Sequence, residues 1–129
     1  MLHRIVGLIL AASFIVLAGC RSAAPIYDVV AAPVVTSKPA TMEAVQNAIV
    51  VAGNGLGWRM EPRSPGTVTG VLDLRDHRAV VEVTYDTKTY NIKYKDSSNL
   101  NYSGTSVHKN YNGWVENLDK AIRVQLAKT

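Results

Sequence analysis

From Leu56 to Lys95 the chain alternates apolar and polar residues with a period of two, broken only by short polar turns. That repeat belongs to strands with one buried face; wrapped on a helix it would scatter the apolar side chains around the axis. Leu56, Trp58 and Met60 alternate with Arg59 and Glu61 before the turn Arg63-Ser64-Pro65-Gly66. Val68, Leu72 and Leu74 then share a face, with Gly70 between them, ahead of the polar turn Arg75-Asp76-His77-Arg78. Ala79, Val81, Val83 and Tyr85 oppose Val80, Glu82 and Thr84. After Asp86-Thr87-Lys88, Tyr90, Ile92 and Tyr94 oppose Asn91, Lys93 and Lys95. Turns this short join only antiparallel neighbours, which predicts a four-stranded antiparallel meander, apolar on one face and polar on the other.

On either side of this stretch the period becomes helical. Thr41 can cap a helix and Glu43 suits its first turn, while Val45, Ala48, Ile49 and Ala52 fall on one face. Gly53-Asn54-Gly55 is expected to end it. Beyond a Ser-, Asn- and Gly-rich loop over 96–110, Tyr111, Trp114, Val115, Leu118, Ile122 and Leu126 form a second apolar stripe. Glu116 with Lys120, and Asp119 with Arg123, make i,i+4 pairs on its outer side. Gly113 is expected to delay the start of this helix to about Trp114. The order α-β-β-β-β-α predicts an α+β domain over 41–129, with a short N-terminal and a longer C-terminal helix packed on one face of the meander.

Composition narrows the function classes. Fourteen Lys+Arg against ten Asp+Glu give a formal net charge of +4, spread along the chain, so no basic arm for nucleic acid is present. A hydrophobic content of 47% excludes a disordered chain. The sole cysteine, Cys20, excludes a disulfide framework and a cysteine-based zinc site.

That cysteine closes a distinct N-terminal segment. Met1-Leu2-His3-Arg4 is a short charged start, and Ile5 to Ala18 carries no charge. A membrane-spanning helix takes about 20 apolar residues, so this stretch reads as the apolar region of a secretory signal peptide. Leu17-Ala18-Gly19-Cys20 resembles the bacterial lipobox. The resemblance implies cleavage between Gly19 and Cys20 and a diacylglyceryl group on the Cys20 thiol. The chain then divides into a signal peptide over 1–19, an acylated Cys20 with an Ala/Pro-rich tether over 20–40, and the domain. Within the tether Ile26-Tyr27 and Val29-Val30 are apolar, leaving an edge strand as the alternative to a free coil. In lipoprotein sorting of diderm bacteria an aspartate after the cysteine commonly holds the protein in the inner membrane. Arg21 in that place implies the outer membrane, facing the periplasm, with the membrane as partner through the lipid on Cys20.

Catalytic chemistry has little to draw on. A Ser-His-Asp arrangement could be assembled from Ser97 or Ser98 with His108 and Asp96, but no Gly-x-Ser-x-Gly turn surrounds either serine. His77 and His108 lie far apart in the chain and do not make a metal site, so neither a metal nor a cofactor is expected.

More informative is the run Tyr94-Lys95-Asp96-Ser97-Ser98-Asn99-Leu100-Asn101-Tyr102, followed by Val107-His108-Lys109-Asn110-Tyr111-Asn112-Gly113-Trp114-Val115-Glu116-Asn117-Leu118. Together with Gly57-Trp58 and the Pro65-Gly66 turn, it resembles a group of small proteobacterial lipoproteins, over about residues 56–124. The resemblance implies location and fold and brings no catalytic residue. Aromatic and amide groups at Tyr94, Asp96, Tyr102, His108, Tyr111 and Trp114 suit either a ligand or partner surface, saccharide or envelope protein, or the locking of a long loop. The sequence therefore predicts a cell-envelope lipoprotein acting as a non-enzymatic accessory or binding module. Its rivals are an assembly partner of an envelope complex and a peptidoglycan- or saccharide-active enzyme centred on His108 and Asp96.

Overall fold

The alternating stretch forms strands β3 (Arg59–Ser64), β4 (Thr67–Leu74), β5 (His77–Tyr85) and β6 (Thr89–Ser98), each antiparallel to the next. The computed structural model describes residues 22–129. The expected signal peptide, Gly19–Cys20 cleavage point and acylation of Cys20 lie outside the described residues. The architecture is α+β, with α1 (Met42–Gly55) and α2 (Lys109–Ala127) and a sheet of five strands rather than four. The fifth is β2 (Val29–Pro33), which pairs with the outer edge of β6 to give the order β2-β6-β5-β4-β3. A small second sheet joins β1 (Ala23–Pro25) to β7 (Ser106–His108).

Residues 20–40, expected as a tether, are thus corrected from Ser22 onward: much of the segment is paired. Its prolines obscured this. Pro25 and Pro33 end short strands at sheet edges, where a missing N–H costs no ladder bond. Beyond β2, Ser37 and Lys38 donate backbone N–H groups to the Thr129 carbonyl at 2.9 and 3.3 Å, so this stretch is tied to the C-terminus as well.

The core lies between the sheet and both helices. Ala79, Val81, Val83 and Tyr85 are buried along β5, with Tyr90 and Ile92 on β6, as the alternation requires. Val45, Ala48, Ile49 and Ala52 face them from α1, and Tyr111, Val115, Leu118, Ile122 and Leu126 from α2. Thr41 caps α1 as read, its hydroxyl accepting from the Ala44 N–H at 3.1 Å. Three details of the helices differ from expectation. α1 ends at Gly55 as expected, but the left-handed residue that follows is Gly57 rather than one of Gly53-Asn54-Gly55. The loop over 96–110 is shortened by β7, and α2 begins at Lys109, with Gly113 inside it. Asp119 pairs with Arg123 at 3.2 Å but is itself buried, because its carboxylate also accepts the Tyr90 hydroxyl.

At Gly70 side chains pack directly against the backbone of β4. A Cβ there would lie 3.1 Å from Met60 Sδ, 3.1 Å from Val81 Cγ2 and 3.3 Å from Trp58 Cε3. The glycine lets Trp58 and Met60 lie over β4, which buries both. Gly70→Val should therefore overpack the core and lower stability by about 1–3 kcal/mol, read from urea denaturation. An unchanged midpoint would mean that Trp58 and Met60 can move away without cost.

The opposite sheet face and the turns hold the carboxylates. Asp73 accepts Arg78 Nε at 2.6 Å, and Glu61 accepts Arg59 Nε at 2.8 Å. Asp86 accepts the backbone N–H groups of Thr89 at 2.8 Å and Lys88 at 2.7 Å, closing the β5–β6 turn. These bonds favour the ionised forms and hold all three carboxyls below their ordinary values. A carboxyl lowered on folding stabilises above its unfolded value, and the contribution is lost as pH falls through the folded one. The melting temperature should drop as pH is lowered from about 4.5 to about 2. Asp86→Asn should reduce that drop, and an identical acid profile in the variant would remove Asp86 from the account.

Candidate functional site

Tyr94 is where β6 leaves the regular ladder. The register with β5 shifts between Val80, opposite Asp96, and Val81, opposite Tyr94, so Lys95 is an extra residue on β6. Past this bulge the strand reaches the loop that carries Tyr102 and returns as β7. The Tyr94 ring stacks on Tyr102 with centroids 4.4 Å apart and planes 15° apart. It also meets Tyr111 of α2 edge to face, at 5.5 Å and 68°. The Tyr94 hydroxyl shares a 2.6 Å hydrogen bond with Ser97 Oγ. Tyr111 is fully buried, and its hydroxyl has no hydrogen-bond partner among the described residues. Burial raises the pKa of both phenols, so each stays neutral across the physiological range.

The amide and histidine groups of the same segment hold the chain's own N-terminal strand. His108 caps α2, its Nδ1 accepting from the Asn110 N–H at 3.2 Å, while its backbone N–H donates to the Leu100 carbonyl at 2.8 Å. The Lys109 N–H donates to the Ser22 carbonyl at 2.7 Å, next to the pairs Ala23–His108, Ala24–Val107 and Pro25–Ser106. Asn112 then bridges across two residues. Its Nδ2 donates to the Pro25 carbonyl at 2.8 Å, and its Oδ1 accepts from the Tyr27 N–H at 2.9 Å. A carboxamide carries the donor and acceptor of a peptide unit, so Asn112 continues in side-chain form the pairing that β7 begins. Asp28 closes the segment by accepting the Tyr94 N–H at 3.3 Å.

Of the sequence-predicted site residues, Tyr94, Tyr102 and Tyr111 come together, but Tyr111 lies inside the core rather than on a surface. Trp114 is half-buried against the core, and its ring pairs with that of His77 at 6.5 Å rather than with theirs. The exposed Asp96 accepts the N–H of the adjacent Ser97 at 2.8 Å. His108 and Asp96 share no hydrogen bond or ion pair among the described residues. A concavity of about 420 Å³ lies elsewhere, between the start of α1 and the β3–β4 turn, lined by Met42, Gln46, Pro62 and Tyr85. Neither it nor the shallow grooves along the α1–α2 seam are lined by Tyr102, His108 or Trp114. Among the described residues no group of three or more His, Cys, Asp or Glu side chains could hold a metal ion, and no helix is long and apolar enough to cross a membrane.

Asn112 is the residue that the sequence reading passed over. Its signal was an amide in the first turn of a helix, beside a histidine cap and downstream of an extended, proline-containing segment. No family model matches the chain, and no curated protein or solved structure matches it.

Asn112→Ala removes both bonds to the N-terminal segment, each worth about 0.5–1.5 kcal/mol net. Amide hydrogen exchange at Ala24 and Tyr27 should accelerate, while the core amides of β5 keep their protection. Unchanged exchange at both positions would show that β1–β7 pairing holds the segment without the amide.

Proposed function

We propose that this chain is a cell-envelope lipoprotein whose small α+β domain serves as a non-enzymatic accessory or binding module. The observation that carries the reading is the lipobox Leu17-Ala18-Gly19-Cys20, which stands immediately before a domain whose ordered pairing starts at Ser22. Two or three acyl chains on Cys20 give a stable anchor, since each buried CH₂ contributes about 0.8 kcal/mol and a single chain binds only marginally. Arg21, in place of the aspartate associated with inner-membrane retention, supports the outer membrane, facing the periplasm. The likeness to small proteobacterial lipoproteins supports the same assignment. A non-enzymatic role is supported by the way the best catalytic candidates are used. His108 is occupied as a helix cap and Asp96 turns back on its own backbone.

One observation favours a second reading, an assembly partner of another envelope protein. Val51, Leu56 and Val124 are exposed around the groove between α1 and α2, and apolar side chains grouped in this way suit a protein contact.

Cys20→Ser tests the anchor. Serine lacks the thiol that accepts the diacylglyceryl group, so metabolic labelling with palmitate should disappear and uncleaved precursor should accumulate. Label retained by the variant would end the lipoprotein reading.

A further inference from the structure

An acylated protein on a free twenty-residue coil would range roughly 25 Å from the bilayer. The described residues leave almost none of that length loose. The Ser22 carbonyl already accepts the Lys109 N–H at 2.7 Å, and Ala23 is in register with His108. Ile26 donates its N–H to the Thr105 carbonyl at 3.1 Å, and Asn112 holds Pro25 and Tyr27. Between the lipid-bearing residue and the first docked one stands Arg21 alone. Two residues of fully extended chain span about 7 Å.

We propose that the end of the domain formed by Ser22, β1, β7 and the start of α2 rests against the bilayer surface, with lipid headgroups as its partner. This inference depends on the lipoprotein reading of Cys20. The short link fixes which end is near the membrane, and the residues there suit the place. The exposed Lys109 carries a positive charge that matches anionic headgroups, and Arg21 adds a second by its place in the two-residue link. Tyr102, 50% exposed, flanks the same segment in the loop leading to β7. Tyrosine rings favour the interface between hydrocarbon and water. The far end follows from the sheet. The His77 ring lies near Trp114 at the start of α2, and β4 runs from its pairing with His77 at Leu74 back to Thr67, opposite Ser64. Its eight residues place the β3–β4 turn about 25 Å further from the anchor.

The test uses the full acylated chain in vesicles of phosphatidylethanolamine and phosphatidylglycerol containing a headgroup-nitroxide lipid. Because acylation consumes the Cys20 thiol, single reactive thiols can be introduced by Asn110→Cys near the anchor and Ser64→Cys at the far turn, then labelled with a fluorophore. Emission from position 110 should be quenched severalfold more than that from position 64. Inserting about twelve Gly/Ser residues between Arg21 and Ser22 adds roughly 20 Å of reach and should reduce quenching at 110 to the level at 64. Protein that floats with the vesicles yet shows equal, weak quenching at both positions would overturn the apposition while leaving the anchor intact. Quenching at 110 unchanged by the insertion would overturn the short link as its cause. Protein that fails to float would overturn the lipoprotein reading, and this inference with it.

Discussion

Strand β6 is hydrogen-bonded along both edges, to β5 on one side and to β2 on the other, and its inward side chains reach every other layer of the fold. Tyr90 extends its hydroxyl to the buried Asp119 of α2, whose second oxygen takes Arg123 at 3.2 Å. A carboxylate removed from water is tolerable only while such partners remain, and deleting one partner of a buried charge is strongly destabilising. The second helix is therefore held over β6 in one register, with Tyr111, Val115, Leu118 and Ile122 in the core. Four residues further along β6, Tyr94 sets the stacking of Tyr102 and Tyr111.

The outer edge of β6 shows how polar side chains repair an irregular ladder. Pairing with β2 is interrupted between Val29 and Ala32, and Ala31 adopts the left-handed region at φ 52°. For a residue with a Cβ that conformation costs about 1–2 kcal/mol. Asn91 offsets part of it, accepting the Ala31 N–H at 2.8 Å in place of a backbone carbonyl. The burial of Val29 and Ala32 on either side holds the strand in place. Asn112 plays the corresponding part for β1. In both places an asparagine completes a backbone pairing that strand geometry alone leaves unfinished.

This use of the aromatic and amide segment bears on function. His108, Asn112 and the Tyr94 hydroxyl spend their hydrogen bonds on the chain itself, and Tyr94 and Tyr111 pack their rings together, while Tyr102 stays half-exposed. Other free surfaces are of a different kind: a charged sheet face with ion pairs such as Arg78–Asp73, and the exposed valines of the α1–α2 seam. Exposed ion pairs add little stability and leave that face well hydrated. Under the proposed accessory role, the apolar seam between the two helices is a surface that this division leaves for a partner.

Most of the layered core was legible in the sequence. Alternation over 56–95 and the helical stripes of both helices are local periodicities, and a buried face imposes them wherever it occurs. The α+β class, the four consecutive strands and the Thr41 cap all followed from it. The run Leu17-Ala18-Gly19-Cys20, on which the lipoprotein proposal rests, is likewise a short linear pattern that the sequence alone displays. The fate of 22–33, the buried position of Asp119 and the pairing of Trp114 with His77 needed the tertiary structure. Backbone hydrogen bonds carry almost no side-chain signature, so an Ala- and Pro-rich segment reads as coil until the free edges of β6 and β7 are there to pair with it.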